Sequence, residues 1–222
     1  MDKSEILKHV DHSLLSPTAT WDDILALCKE AITHQTASVC IAPAYVAKVA
    51  ETFGEQLTIC TVIGFPLGYM STAAKLCEAE IALNEGATEL DLVINLGDVK
   101  NGHFDKVQAE ITAIKALCGA RILKVIIETC YLTEDEKIKL CTLITDAGAD
   151  FIKTSTGFGT AGASFADIKL FQTHIGNQVQ IKASGGVSSV EDMVSYLKLG
   201  VTRIGSSSAI KLLAGENNLG AY

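Results

Sequence analysis

The sequence predicts an α/β protein of the (β/α)8 barrel class, and three observations point there. Short runs rich in β-branched residues alternate with longer amphipathic segments from end to end, eight such runs fit into 222 residues, and three lysines recur at a fixed interval. Lys124 to Lys153 and Lys153 to Lys182 each span 29 residues. Such alternation favours parallel strands, and eight units in so short a chain suit a barrel at the small end of the usual ~200 to 400 residue range. A doubly wound open sheet is the alternative. No Pro/Gly/Ser-rich linker, charge block or low-complexity segment interrupts the pattern, so residues 1–222 are expected to form a single domain.

In chain order, the strands are expected in HVDHSLL, the weakest pattern, then SVCIA, TICTVIGF, ELDLVIN, RILKVIIET, FIKTST, QIKAS and TRIGSS. Helical patterns lie between them and carry start signals. Pro43 stands just inside one, Thr133 with Glu136 reads as a capping box, and Ser164 with Asp167 as a weaker one. Glycines in NEGATELDLV, DAGADFIKT and KLGVTRIGSS close helices before the next strand.

Sorting strand residues by parity gathers the polar ones on one face, because successive residues point to opposite sides. In ELDLVIN, Leu90, Leu92 and Ile94 oppose Glu89, Asp91, Val93 and Asn95. In RILKVIIET, Leu123, Val125 and Ile127 oppose Ile122, Lys124, Ile126 and Glu128. Lys153 and Ser155 oppose Ile152, while Gln180, Lys182 and Ser184 oppose Ile181 and Ala183. In a barrel the apolar parity packs on the helices, so Lys124, Lys153, Lys182 and Asp91 are expected to meet inside. A single strand lysine is commonly a stem that snorkels to solvent. Three at repeat spacing with a carboxylate on the same parity argue for a cluster, since unpaired buried charges cost several kcal/mol each.

Such a cluster suits carbonyl chemistry. A lysine attacks only as the neutral amine, and with an ordinary pKa near ~10.4 about one in two thousand is neutral at pH 7. A second ammonium ~5 Å away at an effective dielectric of ~20 repels by roughly 3 kcal/mol and favours losing the proton. The neutral amine then forms a Schiff base, an electron sink that lets an adjacent carbon–carbon bond form or break. Asp91, with a lysine or water, is placed to shuttle protons. The histidines at 9, 12, 34, 103 and 174 are scattered, so no metal site or other cofactor is expected.

SGGVSS follows the seventh strand and GSSSAI follows the eighth, where barrels commonly bind phosphate through backbone N–H groups. Gly185, Gly186, Gly205, Ser206, Ser207 and Ser208 supply the glycines and hydroxyls. The formal charge of −8 includes no basic cluster, which argues against nucleic acid and anionic membranes as partners. No apolar run approaches a membrane span. Seven cysteines, odd in number and without a Cys-x-x-Cys pair, read as reduced core residues of a cytoplasmic protein.

With DHSLLSP, SVCIAP, VIGFPLG, ELDLVIN, LKVIIET, FIKTSTGF, KASGGV and RIGSSS in this order, the chain closely resembles the deoxyribose-phosphate aldolase family, essentially end to end. The resemblance implies a (β/α)8 barrel and reversible cleavage of 2-deoxy-D-ribose 5-phosphate into D-glyceraldehyde 3-phosphate and acetaldehyde, by a homodimer. By motif, it implies that Lys153 forms the Schiff base, Lys182 lowers its pKa and Asp91 exchanges protons, with Lys124 and Asp11 in support. Cys40 is implied to line the pocket, Thr156, Gly157, Gly185, Gly186, Gly205, Ser207 and Ser208 to hold the phosphorylated substrate, and Tyr222 to fold over the site. One departure stands out: Ser188 follows Gly-Gly-Val, where the family usually has a basic residue. The residues themselves leave open a lyase for another sugar phosphate and a non-catalytic barrel that senses a phosphorylated ligand.

Overall fold

The structure is a computed structural model that describes residues 1–215; Tyr222 lies outside the described residues. Its first half runs α1 (Lys3–Leu7), β1 (Val10–Leu14), α2 (Trp21–His34), β2 (Ser38–Ile41), α3 (Val46–Phe53), β3 (Ile59–Ile63), α4 (Thr72–Asn84) and β4 (Glu89–Val93). The second half runs α5 (Leu96–Lys100), α6 (Phe104–Cys118), β5 (Ile122–Ile126), α7 (Glu134–Asp146), β6 (Phe151–Lys153), α8 (Phe165–His174), β7 (Gln180–Ser184), α9 (Val190–Lys198), β8 (Arg203–Ser206) and α10 (Ala209–Ala214). The strands are all parallel and close in sequential order, β8 pairing back on β1. This is the (β/α)8 barrel that the alternation predicts.

The start signals act largely as read. Thr133 and Glu136 form the reciprocal capping box of α7, and Pro43 opens a short 3-10 turn, Pro43–Tyr45, ahead of α3. Ser164 caps α8 through Asp167 N–H, but the Asp167 carboxylate turns to the Ser164 hydroxyl and to Lys137. Thr20 and Asp23 make a second capping box, on α2, which the sequence reading passes over. Gly148, at φ +72°, carries the chain from α7 toward β6 in a conformation that other residues rarely adopt.

Strand parity divides the interior into two layers. Leu90, Leu92, Ile94, Leu123, Val125, Ile127, Ile152, Ile181 and Ala183 belong to the layer between sheet and helices. A small apolar cluster of Cys40, Cys60 and Val62 lies apart from it, on the inward parity, packed by Leu15 and Phe65. At roughly 1.5–3 kcal/mol for each fully buried aliphatic side chain, the outer layer offsets the desolvation of a charged interior. Asn95 departs from its expected inward position. It lies beyond the end of β4, where its side chain accepts the N–H groups of Gly97 and Asp98 and caps α5.

Candidate active site

The register brings the predicted cluster together. Lys153 and Lys182 are direct neighbours across β6 and β7, and Asp91 and Lys124 across β4 and β5. Lys153 Nζ and Lys182 Nζ both donate to Asp91 Oδ2, at 2.6 and 2.7 Å, while Lys124 Nζ donates to Asp91 Oδ1 at 2.9 Å. Asp11, on β1, accepts from Lys182, from Arg203 and from the Ser38 hydroxyl. Glu89 takes Lys124 at 2.6 Å and a bidentate grip from Arg203, both contacts at 3.0 Å.

Arg203, Glu89 and Cys60 complete the network, although no motif marks them for it. Glu89 carries the inward parity of Asp91, and the same sorting applied to RIGS turns Arg203 inward. Cys60 Sγ lies 3.2 Å from both Asp91 Oδ1 and Lys124 Nζ.

The lysines therefore do not meet as bare like charges, because carboxylates stand between them. Burial pushes Asp91 up, yet Lys124, Lys153 and Lys182 outweigh it and hold the carboxyl well below its usual range. Asp11 is lowered in the same way, against its burial, by Lys182, Lys124 and Arg203. Burial disfavours the charged forms of Lys182 and Lys124, but Asp11 and Asp91 around the first, and Asp91 above all around the second, raise both above the usual lysine value. In this resting arrangement Asp91 is an ionised acceptor with no proton of its own to donate. Four cations, Lys124, Lys153, Lys182 and Arg203, face the three carboxylates of Asp11, Glu89 and Asp91 in this network.

Above it, at the C-terminal end of the strands, opens a cavity of about 170 Å³ lined by both predicted loops. Its walls include Thr156 and Gly157 after β6, Gly185 and Gly186 after β7, and Gly205, Ser207 and Ser208 on β8 and beyond. Lys153 is the one cation among the described lining residues. Lys153 is 3% exposed, whereas Lys124 and Lys182 are 0% exposed beneath it. Ser13, Leu15, Ser184, Ser206, Val187 and Ser188 also line the space. Cys40 lies outside this wall, fully buried in the apolar cluster of the barrel, because β2 directs it toward Cys60 and Val62. The neighbouring Cys60 thiol moves Cys40 down, while burial pushes Cys60 well up.

The two loops are locked together by a close backbone approach. A Cβ on Gly162 would stand 2.1 Å from the Gly185 carbonyl oxygen, and Ala163 N–H donates to the carbonyls of Ser184 and Gly185 at 3.1 and 3.0 Å. Tyr196, on α9, adds a hydrogen bond of 2.9 Å to the Ala163 carbonyl. Nothing local in GTAGAS marks Gly162 as different from an ordinary turn glycine.

Among the described residues, two groups bring potential metal ligands together: Cys40, Cys60 and Asp91, and Asp11, Cys60 and Glu89. In both, ammonium or guanidinium groups already occupy the carboxylate oxygens, so the donor set suits cations that the chain itself supplies.

The sequence model of the DeoC/LacD family aldolases matches residues 5–215. The chain belongs to the DeoC/LacD aldolase family. Family members of closely similar length include a deoxyribose-phosphate aldolase of Clostridium botulinum, 58% identical over 99% of this chain and 100% of that one. One of Streptococcus pyogenes is 54% identical over 97% of each. Among solved aldolases of the family, the deoxyribose phosphate aldolase of Aeropyrum pernix, described as a tetramer, superposes with a TM-score of 0.88 at 32% identity, over 96% of this chain and 92% of that one. This aldolase is a carbon–carbon lyase by family, and no helix among its described residues is long and apolar enough to cross a membrane.

Proposed function

We propose that this aldolase reversibly cleaves 2-deoxy-D-ribose 5-phosphate to D-glyceraldehyde 3-phosphate and acetaldehyde through a Schiff base on Lys153, with no metal or other cofactor. The supporting observation is the position of Lys153, which lines the cavity while Lys124 and Lys182 stay sealed below it. Its ammonium also has the fewest carboxylate partners of the three, Asp91 alone against two for Lys182 and three for Lys124.

The neutral Lys153 amine attacks the C1 aldehyde of the open-chain sugar, and loss of water gives the iminium. Electrons of the C2–C3 bond flow into it as that bond breaks, and the C3 hydroxyl proton leaves for a base. Glyceraldehyde 3-phosphate departs, the enamine takes a proton at C2, and water releases acetaldehyde and the amine. Asp91, once relieved of a lysine proton, relays protons with water, while Lys182 remains charged beside it. The phosphate is held by the loops of Thr156, Gly157, Gly185, Gly186, Gly205, Ser207 and Ser208.

Borohydride reduction in the presence of acetaldehyde, followed by peptide mapping, is expected to add a two-carbon unit to Lys153. Modification of another residue, or of none, overturns the reading. The same reading places residues 1–222 in one catalytic domain that works as a cytoplasmic homodimer, in line with seven free thiols. Sedimentation at two protein concentrations measures the assembly.

A further inference from the structure

Glu128 is a buried, backbone-strained carboxylate to which the mechanism gives no task. It follows β5 with φ +51°, one of two non-glycine residues with positive φ among those described. The other, Gln35, ends a helix, where this conformation is common. A glycine would adopt the Glu128 backbone without strain, so an observed outlier here points to a need for the side chain.

That side chain reaches across to the loop after β6. Its carboxylate accepts Thr156 N–H at 3.1 Å and also the Thr156 hydroxyl. The same hydroxyl accepts Phe158 N–H at 3.0 Å, and Phe158 sets its ring edge-on to Phe65 with centroids 5.3 Å apart. The backbone on either side is bound as well: Ile127 N–H donates to the Lys153 carbonyl at 3.1 Å and Thr129 N–H to the Thr154 carbonyl at 3.0 Å. No cationic side chain of the described residues pairs with Glu128. Its charge is met by Thr156.

Thr156 lines the cavity, and both of its hydrogen-bond donors are directed to Glu128. We propose that Glu128 is a positioning residue, whose carboxylate holds the Thr156–Phe158 turn and thereby sets Gly157 for the substrate phosphate and Lys153 for its aldehyde. This rests on the aldolase reading above. A carboxylate fits the task because it only accepts, and both groups facing it donate. An amide at the same place would keep one acceptor and turn a donor toward the hydroxyl, so E128Q retains part of the clamp and E128A none.

The test compares E128A, E128Q, T156V and the double variant E128A/T156V by calorimetric titration with inorganic phosphate and by borohydride trapping with acetaldehyde. E128A is expected to weaken phosphate binding tenfold or more and to slow trapping at Lys153. E128Q is expected to recover most of both, and E128A is expected to cost less in the T156V background than in the unmutated protein, because only the backbone N–H contact of residue 156 remains there for it to remove. Phosphate binding within twofold of the unmutated protein in E128A, or additive losses in the double variant, overturns the proposal. Where E128A does not fold, E128L and E128L/T156V, which remove both acceptors and leave no cavity, replace E128A and E128A/T156V under the same criteria. Trapping that fails in the unmutated protein strikes the Schiff-base reading, while the phosphate titrations still decide the role of Glu128.

Discussion

Replacing Asp91 by asparagine tests the charge network directly, because one carboxylate receives three ammonium groups at 2.6, 2.7 and 2.9 Å. Removing one partner of a buried ion pair costs roughly 3–5 kcal/mol, a large share of a total stability of about 5–15 kcal/mol. At about 2–4 °C per kcal/mol for a chain of this size, Tm is expected to fall by about 6–20 °C. The pH dependence is more specific. In the unmutated protein, Asp11 and Asp91 are depressed on folding, so their contribution is present above the unfolded value near ~3.9 and is lost as pH falls through the folded ones. Lys124 and Lys182 are raised, so theirs is complete below ~10.4 and is lost as pH rises through the folded values above it. In Asp91→Asn, four cations face two carboxylates, and folding is expected to expel a lysine proton that the unmutated protein retains. Stability of the variant relative to the unmutated protein then rises by about 1.4 kcal/mol per pH unit, closing the gap by about 3 kcal/mol between pH 7 and 9. Urea unfolding followed by circular dichroism at pH 6, 7, 8 and 9 measures the gap. A gap that stays constant with pH, or that is below about 1 kcal/mol at pH 7, refutes the account of Asp91 as the shared counter-ion.

Gly162→Ala forces a Cβ to within 2.1 Å of the Gly185 carbonyl oxygen unless one loop moves. Steady-state kinetics should show KM for 2-deoxyribose 5-phosphate raised about tenfold, a loss of ~1.4 kcal/mol, with kcat/KM for unphosphorylated 2-deoxyribose changed far less. Ser188→Arg places a guanidinium in a wall whose one described cation is Lys153. A charge-assisted hydrogen bond of about 1.5–3 kcal/mol should lower KM for the phosphorylated sugar tenfold or more, and increasing salt should weaken that gain. Outside the barrel, Lys75 is fully buried and donates to Glu110 at 2.7 Å and to the Val93 carbonyl at 2.8 Å. Lys75→Met should cost about 3–5 kcal/mol in urea unfolding, and adding Glu110→Leu should restore part of it, because the stranded carboxylate is then gone.

The barrel and its lysine cluster are legible because both depend on short-range periodicity, the alternation of elements and the two-residue parity of a strand. Parity sorting of the fourth to seventh strands finds Asp91, Lys124, Lys153 and Lys182. Left unsorted, the first and eighth strands conceal the carboxylate partner Asp11 and the guanidinium of Arg203, and Asp11 emerges through the family motif instead. Strand ends are hidden for another reason. FIKTST reads as six strand residues, but the ladder stops at Lys153, and the long-range contact from Glu128 turns Thr156. Gly162 is equally opaque, since its constraint is the backbone of Gly185 rather than anything beside it in sequence. Cys40 has a residue type that suits a pocket wall or a core, and its surroundings combine both: it packs with Cys60 and Val62, and its thiol lies within 4.8 Å of an Asp91 carboxylate oxygen.

The three lysines are equivalent in spacing, yet one of them opens on the cavity, and strand length accounts for the difference. Lys124 and Lys182 are each the third residue of a five-residue strand, with further inward residues, Ile126 and Ser184, above them. Lys153 is the last residue of β6, which is three residues long. Beyond it the chain leaves the ladder: the Thr154 hydroxyl donates to the Ser184 carbonyl and accepts Ser184 N–H, and Thr156 is drawn to Glu128. Thr154 and Ser155 stay fully buried beyond the short strand, and the cavity wall takes in Lys153, Thr156 and Gly157 on either side of them, while Asp91 still reaches the ammonium. The early turn after Lys153, held from β7 and from Glu128, therefore belongs to the active site as much as the lysine does.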